Sequence, residues 1–199
     1  MYDKVLAPLE ADLVKLGGCT SIDVNCIIDE EGNVWPLEFT CRLGWPQFNL
    51  EIFAHTGDPA EWMVDACNGI DSLNTTHDII VGVCLVTQGF PITNEDKGIA
   101  IYGLTAGLKK YIQPQFIKMG KFIDNVEDNL QEVEEWVTSG TYNAVVCASG
   151  QTLQMAQKRV YSIIDKISIS NLGYRIDIGD KVAKSIPVLN ELGFATEWK

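Results

Sequence analysis

The sequence predicts an α+β chain of two domains. Three observations carry that reading. Residues 20–41 hold two alternating runs around an acidic, glycine-containing turn, the pattern of an antiparallel hairpin. Residues 46–69 hold two short helical patterns, each with its own start and stop signals. After a polar stretch at 71–78, the apolar runs IIVGVCLVT (79–87) and AVVCA (144–148) read as buried strands, and 150–167 as an amphipathic helix. The first domain is therefore expected over 1–76 and the second over 77–199.

Residues 3–16 place Val5, Leu6, Leu9, Leu13 and Leu16 at helical spacing, with Pro8 in the first turn and Gly17-Gly18 as the stop. In the hairpin, Ile22, Val24, Cys26 and Ile28 share one face of the first run. Trp35, Leu37, Phe39 and Cys41 share one face of the second. Bringing the two apolar faces together sets Trp35 opposite Ile28, Leu37 opposite Cys26 and Phe39 opposite Val24. The same register sets Glu38 opposite Asn25 and Thr40 opposite Asp23, so four polar groups gather on the other face. A helix over 46–56 starts near Pro46 and ends at Gly57. Asp58 then caps a second helix, with Pro59 at its first position, Glu61 completing a capping box, and a stop at Gly69.

Beyond 79 the spacing predicts a turn at 88–91 and short strands at 99–102 and 115–119. An acidic helix is predicted over 124–137, with Val126, Leu130, Val133 and Val137 inward and its acids on a solvated face. The stripe Leu153, Ala156, Val160, Ile163, Ile164 and Ile167 defines the helix over 150–167. A strand at 174–178 and a helix at 180–192 close the chain. Trp35 and Trp62 are expected in the core, and His55 at a helix end.

Composition removes several classes of function. Hydrophobic residues make up 46% and charged residues 21%, ordinary for a globular chain. Acids outnumber bases 27 to 15, a net charge of −12, which argues against a nucleic-acid backbone or an anionic membrane as partner. The six cysteines form no C-x-x-C and several sit in apolar runs, so they read as reduced core thiols of a cytoplasmic protein. The two histidines, His55 and His77, share no context, which argues against a His/Cys metal site. No apolar signal region opens the chain, and no run approaches the ~18 apolar residues of a membrane span.

The polar face of the hairpin is where chemistry is expected. A strand carboxylate, Glu38, facing oxygen groups of Asn25, Asp23 and Thr40 is the kind of donor set Mg²⁺ takes. Arg42 follows at once, where it could neutralise a phosphate or carboxylate. The alternative is a hairpin whose polar face simply meets water, and the local pattern leaves both open.

PLEFTCRLGWPQFNLE (36–51) resembles the E-F-N-x-R-F-G-D-P-E-x-Q signature of the phosphoribosylamine–glycine ligases, ATP-grasp enzymes of purine biosynthesis. GDPAEWMVDACNG is similar to the helix after that signature, and VGVCLVTQGFP to the start of the family's C-terminal domain. SGQTLQMAQKRVYSIIDKI followed by GYRIDIG resembles that domain's last helix and strand, and the blocks stand in the family's order. The acidic segment 124–137 is longer than the family's. The resemblance implies the C-terminal part of an ATP-grasp domain followed by a small mixed β/α domain. It implies ligation of glycine to 5-phosphoribosylamine with ATP, and Mg²⁺ or Mn²⁺ between the ATP phosphates. By motif position Glu38 corresponds to a metal and cofactor ligand and Arg42 to the signature arginine. Asn25 stands where other ATP-grasp enzymes carry a metal-binding side chain. Arg175 in GYRIDIG is placed either to reach a phosphate or to pair with Asp177 or Asp180.

Two departures from the signature matter. Thr40 stands where the family's second ligand, an asparagine, is expected, and Trp45-Pro46-Gln47 replaces D-P-E, removing two carboxylates. The resemblance begins near the end of the ATP-grasp domain, and no glycine-rich phosphate loop is present. The expectation is half of a site, working with an N-terminal half of the ligase. The competing expectation is a non-catalytic module of the same fold that self-associates.

Overall fold

The computed structural model describes residues 1–17, 21–91 and 97–198. Gly18, Cys19 and Thr20, expected at a helix stop, among the core thiols and at a strand start, lie outside the described residues. The chain forms two compact units, Met1–Thr76 with Asp180–Lys199, and His77–Gly179. The closing helix thus groups with the first unit, not with the second as expected. Leu192 lies beside Gly32 of the hairpin turn, and the Lys4 ammonium stands 5.2 Å from the centre of the Phe194 ring.

In the first unit the predicted helix over 3–16 is broken into three. Helix α1 (Tyr2–Val5) passes into a 3-10 turn (Ala7–Leu9) and then α2 (Glu10–Leu16). Pro8 is the cause, since it has no N–H to donate and its ring crowds the preceding turn. Val5 is buried, whereas Val14 and Leu16 face outward. Strands β1 (Asp23–Ile28) and β2 (Val34–Thr40) form the antiparallel hairpin. Helices α3 (Gln47–Ala54) and α4 (Pro59–Cys67) follow. The predicted cap is in place: Asp58 Oδ1 accepts from the Ala60 N–H at 2.7 Å. Trp62 is buried as expected, with His55 and Phe48 rings at 5.6 and 6.3 Å. His55 ends α3, and its Nδ1 accepts from the Asn74 N–H at 3.2 Å, fixing the polar loop to the helix end.

In the second unit β3 (Ile79–Thr87), β4 (Lys97–Tyr102), α5 (Ala106–Lys109), β5 (Ile112–Pro114), β6 (Ile117–Val126), β7 (Asn129–Ser139) and β8 (Tyr142–Gly150) succeed one another. They are followed by α6 (Leu153–Ile164), β9 (Ser168–Ile169) and β10 (Leu172–Gly173). The strands make two antiparallel sheets, β10-β3-β8-β5 and β6-β7-β4-β9. The tight turn between β9 and β10 ties one sheet to the other. Strand β8 is buried almost throughout, which is why AVVCA carries no alternation. Helix α6 packs on β8 and β3 through the predicted stripe, with Ala156, Val160 and Ile164 sealed from solvent. Thr152 Oγ1 caps it by accepting from the Met155 N–H at 3.2 Å. Cys147 is fully buried in this core, and burial, then the nearby Cys84, pushes its thiol up to about 12. No helix among the described residues is long and apolar enough to cross a membrane.

The acidic helix expected over 124–137 is instead the distal half of a long hairpin. Strands β6 and β7 pair without a break from Ile117–Thr138 to Val126–Asn129. Glu127 and Asp128, both at positive φ (50° and 65°), make a two-residue turn. Glutamates favour helix by local propensity, and Val126, Leu130, Val133 and Val137 fit its period. Pairing of β7 with both β6 and β4 overrides that preference, and Leu130, expected inward, is 78% exposed. Because neither turn residue is glycine or asparagine, E127N/D128G should stabilise the chain by about 1 kcal/mol, measured by urea unfolding.

The strand expected at 174–178 is also absent. There the Tyr161 hydroxyl donates to the Arg175 carbonyl (2.9 Å) and accepts from the Ile178 N–H (3.1 Å), so a side chain satisfies backbone groups a ladder would have taken. The closing helix, α7 (Asp180–Glu191), belongs to the first unit.

Candidate metal-binding hairpin

The register of β1 and β2 pairs Asp23 with Thr40, Val24 with Phe39 and Asn25 with Glu38. Directly opposed residues of an antiparallel pair project to one face, and so do residues two apart on a strand. Asp23, Asn25, Glu38 and Thr40 therefore share a face, as the alternation required.

Toward the turn the register shifts by one. Cys26 pairs with Pro36, Ile27 with Trp35 and Ile28 with Val34, leaving Leu37 as the extra residue of a bulge. The expected pairings of Trp35 with Ile28 and of Leu37 with Cys26 are corrected accordingly. The signal for the bulge was in the sequence: Pro36 has no N–H for the ladder, and proline in strands collects at edges and bulges. The slip carries Trp35, with Ile27, onto the face of Asn25 and Glu38. Trp35 is 58% exposed and not part of the core. Its Nε1–H donates to Asp29 Oδ2 at 2.8 Å.

Asp29 organises the turn. Besides Trp35 it accepts from the Asn33 side chain (3.0 Å), the Asn33 N–H (2.7 Å) and the Glu31 N–H (3.1 Å). The Trp35 indole first, then the Asn33 amide, hold its carboxyl below the usual range, with burial opposing. A depressed carboxylate adds stability above its unfolded value of about 3.9 and loses it as pH falls through the folded value. The turn is thus firm at neutral pH, and it holds Trp35 beside the polar face.

The Glu38 carboxylate is exposed and accepts no hydrogen bond from a described residue. Arg42 lies just past β2, exposed, with Nη1 donating to the Leu43 carbonyl at 3.0 Å. Arg175 belongs to the second unit. There it meets Asp177 bidentately, Nε to Oδ1 at 2.9 Å and Nη2 to Oδ2 at 2.7 Å, the ion-pair alternative of its two readings. Among the described residues no three His, Cys, Asp or Glu side chains gather into a cluster. A cation on the hairpin would rely on two carboxylates, an amide and a hydroxyl. This all-oxygen set fits Mg²⁺, which takes one or two protein carboxylates and completes its shell with water and phosphate.

One groove of the first unit is a poor match for a nucleotide. This groove, about 640 Å³, is lined by Leu43, Trp62, Met63 and Ile70, and its charged lining residues are Glu51 and Asp71. Two carboxylates and no cation repel a polyphosphate.

Known proteins share the fold of this chain. The crystal structure of phosphoribosylamine–glycine ligase from Thermotoga maritima superposes with a TM-score of 0.53 at 18% identity, covering 79% of this chain and 36% of that one. The fold is therefore shared with part of that ligase. Residues 80–181, half of the chain, match the family described as phosphoribosylglycinamide synthetase, C domain, and the chain belongs to that family. Phosphoribosylamine–glycine ligase of Escherichia coli O157:H7 is 30% identical over 156 residues, which are 77% of this chain and 34% of the relative. That of Neisseria meningitidis serogroup B is 28% identical over 158 residues, 78% of this chain and 35% of the relative. The chain spans about a third of the length of the curated relatives it matches.

Proposed function

We propose that this chain acts as the C-terminal portion of a phosphoribosylamine–glycine ligase of purine biosynthesis, joining glycine to 5-phosphoribosylamine while ATP becomes ADP and phosphate. The observation that carries the reading is the convergence of Asp23, Asn25, Glu38 and Thr40 on one hairpin face, two residues before Arg42. Glu38, with Asn25 and Thr40, would hold Mg²⁺, or Mn²⁺, whose charge neutralises ATP phosphates. Arg42 would meet an anionic group of substrate. Arg175 stays outside the assignment, because its Nε and Nη2 are committed to Asp177.

The groups that grip the nucleotide belong, on this reading, to the ligase's other two-thirds, in the same polypeptide or another. Exposed Val14, Leu16, Ile27, Leu37 and Phe39 supply apolar surface for such a neighbour. The test joins this chain to the N-terminal two-thirds of a relative, by mixing or fusion, and follows ADP release. Release that requires both glycine and phosphoribosylamine is expected; a folded assembly that stays silent would overturn the proposal. Thr40, Trp45 and Gln47 favour a second reading, a non-catalytic module of this fold. Mg²⁺ binding measured by calorimetry on the assembled protein argues against it.

A further inference from the structure

Strand β6 ends its sheet, and among the described residues no strand lies beyond it. The two-residue turn at Glu127-Asp128 makes Val126 and Asn129 a hydrogen-bonded pair. The alternation of an antiparallel ladder then directs the N–H and C=O groups of even-numbered β6 residues toward β7. Those of Met119, Lys121 and Ile123 point outward from the edge. Asn125 agrees: its N–H turns to Asp124 Oδ1 at 2.8 Å instead of entering the ladder.

The side chains from Lys118 to Asp124 are complementary to themselves about a two-fold axis through Lys121. An antiparallel second copy sets Lys118 opposite Asp124, Met119 opposite Ile123 and Gly120 opposite Phe122, each pair occurring twice. The first is a pair of opposite charges. The second covers side chains now 46% and 64% exposed. The third sets an aromatic residue opposite a glycine, whose missing side chain leaves room beside the Val137 side chain that already lies against it. Lys121 meets its own copy, but each Lys121 is already neutralised by Glu132 of its own hairpin at 3.1 Å. In this register the outward backbone groups of 119, 121 and 123 all find partners. Moving the axis to Gly120 or Phe122 places Lys118 opposite Phe122 or Val126 and loses both charge pairs. Edge lysines ordinarily discourage strand addition; here they select one register.

We propose that the chain forms a two-fold dimer through antiparallel pairing of β6 with β6 of a second copy, making one eight-stranded sheet from two four-stranded ones. So short a ladder buries less than the roughly 1,600 Å² of a standard interface, so the dissociation constant is expected near micromolar.

Sedimentation velocity of the 199-residue chain tests this. The unaltered chain should be dimeric at about 100 µM and dissociate on dilution. Lys118→Asp and Asp124→Lys each set like charges opposite one another twice, and each variant alone should remain monomeric. In their mixture both pairs are opposite in charge again, and the heterodimer should form. Asp124→Lys also removes the acceptor of the Tyr102 hydroxyl (3.1 Å), so circular dichroism checks its fold. Lys121→Pro is the second variant. It deletes an outward N–H without touching the β7 ladder, and should be monomeric. A monomeric unaltered chain at that concentration, a folded mixture that stays monomeric, or a dimeric Lys121→Pro variant would each overturn the proposal. A monomer throughout would leave the edge to an extended segment of another protein.

Discussion

Replacing Glu38 with Gln in the assembled ligase is expected to lower kcat/KM by about 10²–10³-fold while leaving stability within about 0.5 kcal/mol. The two halves of that expectation have separate causes. Glutamine keeps the shape of the side chain and one oxygen, so the strand and its pairing with Asn25 persist. Glu38 is exposed and holds no described hydrogen-bond donor, so the fold loses nothing with the charge. What disappears is the anionic oxygen that a hard cation needs. The Mg²⁺ concentration that supports half-maximal rate should therefore rise, a readout distinct from the rate itself. If the polar face of the hairpin only meets water, the substitution changes neither. Thr40→Asn provides the opposite displacement. An amide oxygen is the better donor, and the variant should bring the Mg²⁺ requirement down. Unchanged Mg²⁺ dependence in both variants would remove the hairpin from the chemistry.

The parts of this site that were legible in the sequence are those set by local period. Alternation in 20–28 and 34–41 was enough to place Asn25 opposite Glu38 and Asp23 opposite Thr40. Asp58 and Pro59 announced α4, and the stripe from Leu153 to Ile164 announced α6. Each depends on neighbours within a few residues, which is what sequence patterns encode. Trp35 departs from its expected face because a bulge reverses every side chain beyond it, and Pro36 is its one local signal. The β6–β7 hairpin departs from the expected helix for a different reason. Its glutamates prefer helix, and only pairing with β4, distant in sequence, decides otherwise. Arg175 shows the limit on the chemical side. A motif position says where an arginine is, whereas the partner it meets here, Asp177, lies two residues later.

Gly103→Ala should be among the most damaging single substitutions in the second unit, destabilising it by about 3 kcal/mol or more. Gly103 follows β4 at φ +87°, and a Cβ there would collide with the Lys166 carbonyl oxygen at the approach to β9. The obstacle is backbone, which cannot rotate aside as a side chain would. It lies beside the β4–β9 pairing of Ile101 with Ile169 and Tyr102 with Ser168. Both Ile101 and Ile169 are buried, so relief of the clash would open the core. Gly98 supplies the control. It has nearly the same φ (+79°), yet a Cβ added there meets nothing within 4 Å. Gly98→Ala therefore reports the cost of a left-handed alanine alone, about 1–2 kcal/mol. The difference between the two variants in urea unfolding isolates the collision with Lys166. Equal losses would mean that the β4–β9 junction yields, and that the close approach of the two segments carries none of the stability assigned to it.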